Sequence, residues 1–481
     1  MSEHQYQPRY HFHPPAHWMN DPNGMVYYHG EYHLCYQYDP IDPNGGPLKH
    51  WGHAVSTDLA HWTHLPVALS PDHLGGIWSG SAVVDHHNTS GYFPDSSGLV
   101  ALYTQAPDWQ KGNQHQSVAF STDNGRTWAP YSGNPVIRDP GYGDFRDPKV
   151  LWHESTQQWV MALAARDRVA LYTSPDLIEW EWASEFGAGY GAPARVWECP
   201  DLFPLRVDDD PDREKWVLVV SINGERGSAM QYFVGNFDGT RFTCDDHPDR
   251  VRWVDYGRDC YAAVSWSDTP ESNARRLWLG WMNNWKYARA APTRPWRGVM
   301  TIPRELRLRS SDDGVQLVQI PAAELRVLRS EVLRQIRVIV EPGIDVPLPV
   351  RGDALEIIAE FALADAHEFG IRVRTGSGES TTVGYDVAEA ALFVDRGRSG
   401  DTSFHDDFPG KHHGSLKPVQ GQVKLHVFVD ACSVEVFGND GTTVITDLIF
   451  PAAASDGITL YSVGTAVAVT MEVYRLGPVE Q

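Results

Sequence analysis

From the N-terminus to about residue 320, short apolar runs alternate with turn residues. Gly24-Met-Val-Tyr-Tyr-His-Gly30 and Glu31-Tyr-His-Leu-Cys-Tyr-Gln-Tyr38 are typical. Runs of this length, rich in Val, Tyr and Leu and bounded by Gly, Asn, Asp or Pro, predict strands. No stretch in this part carries a strong amphipathic helical period, so the expectation is all-β: a sandwich, a barrel or a propeller.

A weak internal repeat favours the propeller. Ser56-Thr-Asp-Leu-Ala-His-Trp62 recurs as Ser121-Thr-Asp-Asn-Gly-Arg-Thr-Trp128 and as Thr173-Ser-Pro-Asp-Leu-Ile-Glu-Trp180, with Phe237-Asp-Gly-Thr-Arg-Phe242 as a looser fourth copy. Asp58, Asp123, Asp176 and Asp238 stand 65, 53 and 62 residues apart. Each copy is an Asp turn leading to an aromatic, as suits a hairpin between outer strands. That spacing, with strands throughout, predicts blades of four strands each.

Near residue 320 the pattern changes. Pro321-Ala-Ala-Glu-Leu-Arg-Val-Leu-Arg-Ser-Glu-Val-Leu-Arg-Gln335 puts Leu325, Leu328 and Val332 at helical spacing and predicts a helical linker over 321–335. Alternating strands follow: Ile336-Arg-Val-Ile-Val340, Leu355-Glu-Ile-Ile-Ala-Glu-Phe361, Val423-Lys-Leu-His-Val-Phe-Val429 and Val434-Glu-Val-Phe437. Gly438-Asn-Asp-Gly441 reads as a tight turn. The expected organisation is a propeller over 1–320, the linker, and a β-sandwich over 336–481.

Composition adds a map. All 18 tryptophans lie between Trp18 and Trp296, and the last 185 residues have none. Most read as core, and a few near the acids described below as ligand walls. The net charge of -22 argues against nucleic acid or an anionic membrane as partner, since phosphate binding needs clustered Lys and Arg. No apolar run approaches the ~18 residues of a membrane-spanning helix. No basic and then apolar leader precedes Pro15, which predicts cytoplasmic residence, or secretion if a leader has been removed. The five cysteines are scattered without a CxxC pair and form neither a disulfide framework nor a zinc site. His11, His13 and His17 lack a fourth ligand pattern, so neither metal nor cofactor is expected.

Three acids sit in apolar or aromatic company: Asp21 in Trp18-Met-Asn-Asp-Pro-Asn-Gly24, Asp147 in Phe145-Arg-Asp-Pro148, and Glu198 in Trp197-Glu-Cys-Pro-Asp201. With Ser79 of Trp78-Ser-Gly-Ser81 and Asp259 of Gly257-Arg-Asp-Cys-Tyr261 they form a series with steps of 58, 68, 51 and 61, matching the outer-turn repeat. If each marks the start of a blade's innermost strand, all five converge on the axis of a five-bladed propeller. Carboxylates, an arginine and indole walls suit a carbohydrate, and glycosidic cleavage takes a proton donor and a second carboxylate that stays ionised. Glu198, between Trp197 and Cys199, has the least polar neighbours and suits the donor. Asp21, flanked by Asn20 and Asn23, is placed to accept hydrogen bonds as an anion. Arg146 is expected to hold Asp147 charged and turned toward hydroxyls. Cys199 reads as a small apolar residue shaping the acid's surroundings.

The motifs around Asp21, Asp147 and Glu198 resemble the three signature motifs of glycoside hydrolase family 32, the β-fructosidases. The resemblance extends over nearly the whole chain, through Tyr36-Gln-Tyr38, His50-Trp-Gly-His-Ala-Val-Ser56, Asp255-Tyr-Gly-Arg-Asp-Cys-Tyr-Ala-Ala263, Leu279-Gly-Trp-Met-Asn-Asn-Trp285 and Asp430-Ala-Cys-Ser-Val-Glu-Val-Phe437. Within the family, Trp197 to Phe203 and Asp255 to Trp285 look most like levanases and exo-inulinases. The resemblance implies a five-bladed propeller followed by a β-sandwich and a retaining mechanism. In it Asp21 is the nucleophile, Glu198 the acid/base, and Asp147 the residue that binds fructose hydroxyls, with Arg146 beside it. It further implies that Asn20, Gln37, Ser79 and Trp281 complete the fructose pocket, that Trp51 and Trp78 form walls, and that Asp259 belongs to the same subsite. The implied substrate is a small sugar, a terminal fructoside of fructans, fructo-oligosaccharides or sucrose.

One departure stands out. Family members usually carry a Trp between the Tyr-Gln-Tyr and Trp-Gly-His motifs, where this chain reads Asp39-Pro-Ile-Asp-Pro-Asn-Gly-Gly-Pro-Leu-Lys49. A more open or differently shaped rim is expected there. Three other readings remain open: a fructosyltransferase with a sugar acceptor, a sugar-binding module without catalysis, and an arabinan-acting propeller. The sandwich reads as structural, with a surface available to a second copy of the chain.

Overall fold

The computed structural model describes residues 5–94, 97–107, 114–270, 275–363 and 365–477. Five antiparallel sheets follow one another along the first two-thirds of the chain. The first comprises His17–Tyr28, Glu31–Asp39, His50–Ser56 and Thr63–Leu69, with Trp296–Arg297 added in parallel beside the first strand. The second begins at Gly76–Asp85, the third at Phe145–His153, the fourth at Trp197–Arg206 and the fifth at Tyr261–Ser265. These first strands contact one another in a closed ring, each touching its neighbour and the fifth touching the first.

The repeated turn has one job. In each of the first three copies it joins the third strand of a sheet to the fourth. Asp58 Oδ1 accepts the amides of Ala60 and His61, and Asp176 Oδ1 those of Ile178 and Glu179. The following indole turns back onto the loop: Trp62, Trp128 and Trp180 donate Nε1–H to the carbonyls of Leu59, Gly125 and Leu177. Asp238 does the same for the amides of Thr240 and Arg241 in the fourth sheet. A short acceptor that mimics a backbone turn explains why Asp recurs at this point.

The predicted helical linker over 321–335 is corrected. Only Ala323–Leu328 coils, as a 3₁₀ turn that buries Leu325 and Leu328, and Arg329–Val340 is a strand paired with Val467–Leu476. Two register breaks, between Glu331 and Leu333 and between Leu333 and Ile336, disturb its period of two and give the apolar positions a helix-like spacing. This strand opens the second unit, two six-stranded antiparallel sheets with an apolar core between them built from residues such as Ile357, Phe361, Phe369 and Val427.

Buried ions join the two units. Arg304 bonds Glu435, Thr446 and Gln319, and lies 3.3 Å from Asp255. His11 bridges Asp430 at 2.7 Å and Glu435 at 2.8 Å, and these two acids hold it charged, up to about 9, against the opposing effect of burial. Among the described residues no helix is long and apolar enough to cross a membrane.

Candidate functional site

The first strand of each of the five sheets in the first unit breaks register near its start: between Met19 and Pro22, Ile77 and Gly80, Arg146 and Lys149, Glu198 and Asp201, and Tyr261 and Val264. A bulge turns a side chain away from the regular alternation. Three of these bulges hold a non-glycine residue in the left-handed region: Asp147 at φ 65°, Cys199 at 45° and Ala262 at 53°. Such backbone costs on the order of 1–3 kcal/mol each and persists where the surroundings fix it, often at functional sites.

The bulges bring Asp21, Asp147 and Glu198 together. Asp21 Oδ2 accepts the Ser79 hydroxyl at 2.7 Å and faces the Cys199 thiol at 3.6 Å. Its Oδ1 is buried and has no hydrogen-bond partner among the described residues. Asp147 Oδ2 accepts the Cys199 amide at 3.0 Å and faces the same thiol at 3.6 Å. One sulfur thus separates the two carboxyl groups. Burial pushes Asp21 up, with the Glu198 charge adding to it, while Ser79 and Asn20 pull it down. Asp147 is pushed up to about 7 by burial, opposed by Arg146 and reinforced by the charges of Glu198 and Asp21.

Two neighbour-based expectations are corrected. Arg146 does not hydrogen-bond Asp147. Its Nε and Nη2 donate to Glu198 Oε1 at 3.2 and 3.1 Å, and its Nη1 donates to Asp144 and to Gln114. Glu198 is also not in the least polar setting. Its Oε2 accepts the Tyr261 hydroxyl in a short hydrogen bond and the Asn223 amide at 3.0 Å. The residues next to Glu198 in sequence are apolar, but strand residues alternate faces, so its side chain looks into the ring at Arg146 and Tyr261 from the two flanking sheets and at Asn223 from the next strand of its own.

The remaining predicted residues divide. Trp78 stands half-buried at the site and its Nε1 has no partner among the described residues. Trp51 is buried beneath it, donating Nε1–H to the Trp78 carbonyl at 2.9 Å, and Gln37 donates to the carbonyl of Ile77 at 3.1 Å. Asn20 accepts the Trp18 indole at 2.6 Å. Trp281 is buried 4.7 Å from the Trp285 ring and 6.0 Å from the Trp18 ring, its Nε1 unpartnered among the described residues. Asp259 does not join them. It is buried under the second unit, bonded to Arg396 at 2.5 Å, Tyr287 at 2.6 Å and the Leu448 amide at 2.8 Å. The periodic series fell two positions short: the fifth strand presents Tyr261, whose hydroxyl reaches Glu198.

Sequence reasoning missed Tyr261, Asn223 and Lys49. The Asp39–Lys49 loop folds against the site with its carboxylate Asp39 capping the amides of Ile41, Asp42 and Gly46. At the end of this loop Lys49 lays its ammonium 5.0 Å over the Trp18 ring. Burial pushes that ammonium down to about 7, against the charges of Asp39 and Asp21. The absent Trp is the sequence signal for this loop, and no motif marks the lysine at its end.

Comparison with known proteins agrees with this arrangement. A model of the glycosyl hydrolases family 32 N-terminal domain matches residues 11–321, and one of the family 32 C terminal matches residues 324–475. The levanase of Bacillus subtilis (strain 168) is 55% identical over 96% of this chain and 69% of its own length. An extracellular exo-inulinase of Aspergillus awamori is 39% identical over 98% of this chain and 94% of its own. The crystal structure of exo-inulinase from Aspergillus awamori superposes with a TM-score of 0.91 at 37% identity, over 98% of this chain and 99% of that one. A Schwanniomyces occidentalis fructofuranosidase, solved in complex with fructosylnystose, gives 0.88 at 30% identity, over 99% of each chain.

Proposed function

The chain belongs to glycosyl hydrolase family 32 and is a glycoside hydrolase, and from that membership we propose an exo-acting retaining β-fructosidase that releases terminal β-D-fructofuranosyl units from fructans, fructo-oligosaccharides or sucrose. In this reading the five sheets are the blades of a five-bladed propeller with the site at one end of its axis, and the second unit is a β-sandwich. The division falls at 321–329.

The carrying observation is the convergence of Asp21, Asp147 and Glu198 around the Cys199 sulfur and the Arg146 guanidinium. Asp21, with Oδ1 unpartnered, attacks the anomeric carbon of the fructosyl unit. As that C–O bond forms, the glycosidic C–O bond breaks and the leaving oxygen takes the proton of Glu198. Water then attacks the covalent fructosyl-enzyme, giving its proton to the Glu198 carboxylate and freeing Asp21. Asp147 accepts hydrogen bonds from fructose hydroxyls that strengthen as the ring approaches an oxocarbenium ion. Trp78 and the rim around Lys49 bound the sugar.

The test replaces Asp21 by Asn and Glu198 by Gln and measures released fructose on sucrose, 1-kestose, inulin and levan. Each variant should lose several orders of magnitude in kcat. Full activity of either variant on every fructoside would sink the assignment. Longer oligosaccharides as the main product at high sucrose would favour transfer to a sugar over hydrolysis.

A further inference from the structure

Away from the carboxylates, between the N-terminal segment and residues 289–297, lies a cavity of about 760 Å³ lined by Tyr6, Asn44, Arg289, Arg294, Trp296 and Arg297. Three arginines at one concavity are unexpected in a chain of net charge -22. None of them forms an ion pair among the described residues. Arg297 is 9% exposed, and every acceptor it has is neutral: Asn44 Oδ1 and the Arg289 carbonyl at 2.5 Å from Nη1, and the Ala291 carbonyl at 3.2 Å from Nη2. Its Nε is buried with no acceptor among the described residues. Arg289 donates Nε–H to the Asn44 carbonyl at 3.2 Å, and Arg294 is exposed at the mouth. Burial and then the like charge of Arg294 hold Arg297 below its ordinary value. The acid in electrostatic range, Asp42, spends Oδ1 on the Asn44 amide.

A guanidinium taken out of water without a counter-charge is costly, and a planar fork of donors matches phosphate oxygens two at a time. We propose that this cavity is an oxyanion site for a phosphate group, with Arg297 at its floor and Arg289 and Arg294 at its mouth. Its volume and the aromatic walls of Tyr6 and Trp296 leave room for the organic part of a phosphorylated sugar. Occupancy is coupled to the rim of the carboxylate site. Arg289 and Arg297 both hold Asn44, in the loop that ends at Lys49, and Arg289 lies 5.9 Å over the Trp285 ring, which stacks on Trp18. The inference does not depend on the identity of the sugar cleaved.

The test is calorimetric titration of the full chain with inorganic phosphate and, separately, with fructose 6-phosphate, at an ionic strength held constant with sodium chloride. One saturable site per chain is expected, and Arg289→Gln and Arg294→Gln should each weaken it about tenfold. Both substitutions are at exposed positions, so unchanged circular dichroism and thermal midpoint of the free variants show that the fold is kept. Tighter binding of the ester identifies a sugar phosphate as ligand, and equal binding identifies free phosphate. Three results would each overturn the site: no heat beyond the chloride control, equal affinity in wild type and both variants, or displacement of phosphate by fructose.

Discussion

Arg146 clasps Glu198 across two sheets, with Nε and Nη2 at 3.2 and 3.1 Å from Oε1, although the residues are 52 apart in the chain. The fork holds Oε1 from two nitrogens at once and leaves Oε2 to Tyr261 and Asn223. Lysine at position 146 keeps the charge and loses the fork. Arg146→Lys should therefore lower kcat on sucrose about 10²–10³-fold with a much smaller change in KM, because the misplaced group acts on the reaction more than on binding. Activity within twofold of wild type would show that the fork is not needed.

Tyr261 and Asn223 share one acceptor and also bond each other, Asn223 Nδ2 lying 2.8 Å from the Tyr261 oxygen. Groups joined in this way do not contribute independently. Tyr261→Phe should reduce kcat about 10–100-fold, and adding Asn223→Ala should cost clearly less than the product of the two single losses. Steady-state kinetics of the three variants measure this, and additive losses would mean two separate roles.

The acids themselves were legible because each sits in a local motif, and the outer turn because its Asp and Trp are a few residues apart and bond within the turn. What failed was inference from chain neighbours to spatial neighbours. Arg146 precedes Asp147 but serves Glu198, and Trp197 flanks Glu198 while facing away into the core around Phe233. Asp259 fits the blade spacing almost as well as Tyr261, yet two residues decide whether a side chain enters the ring or the interface. Asn223 lies on the second strand of its sheet, outside any series built on first strands. The helix expected over 321–335 failed because two bulges give a strand an aperiodic apolar pattern that a helix also satisfies.

Asp147 makes a prediction about stability. In the unfolded chain its carboxyl titrates near 3.8, and in the folded chain burial raises this to about 7. Below about 3.8 both states are protonated and no cost arises. As pH rises, the unfolded state ionises first, so the folded state loses stability until about 7, where the full cost is present. Asp147→Asn removes that charge. It should raise the thermal midpoint at pH 8, by a stabilisation on the order of 1–3 kcal/mol, and leave it unchanged near pH 4, while activity falls by orders of magnitude. A gain of equal size at both pH values would remove the ionisation as its cause.

Asp259 and Arg396 form a buried pair with Tyr287 between the two units. Removing the Asp259 charge leaves Arg396 with its longer contact to Asp447, at 3.7 Å, as the remaining ion pair among the described residues of a buried site, which costs about 3 kcal/mol, the low end for breaking a buried pair. Asp259→Asn should thus lower the thermal midpoint by several degrees, while KM for sucrose measured well below that midpoint stays within twofold. A subsite residue would show the reverse, a raised KM with the midpoint kept.

Lys49 gives the opposite pH dependence to Asp147. Its ammonium lies half-buried over Trp18, and burial lowers it from 10.5 to about 7. Above about 10.5 neither state is charged and there is no cost. As pH falls, the unfolded lysine takes up its proton first, so the folded state loses stability from about 10.5 down to about 7, and the full cost is present below that. Methionine has a similar unbranched stem and keeps the contact with the indole, giving up a cation–π attraction of about 0.5–2 kcal/mol. Lys49→Met should raise the thermal midpoint at pH 6, by a net effect on the order of 1 kcal/mol, and the gain should shrink steadily toward pH 10. Thermal scans across that range decide the point: a gain that persists at high pH would come from apolar packing over Trp18, and a loss at pH 6 would mean that the attraction to the ring and to Asp21 outweighs the cost of burying the charge.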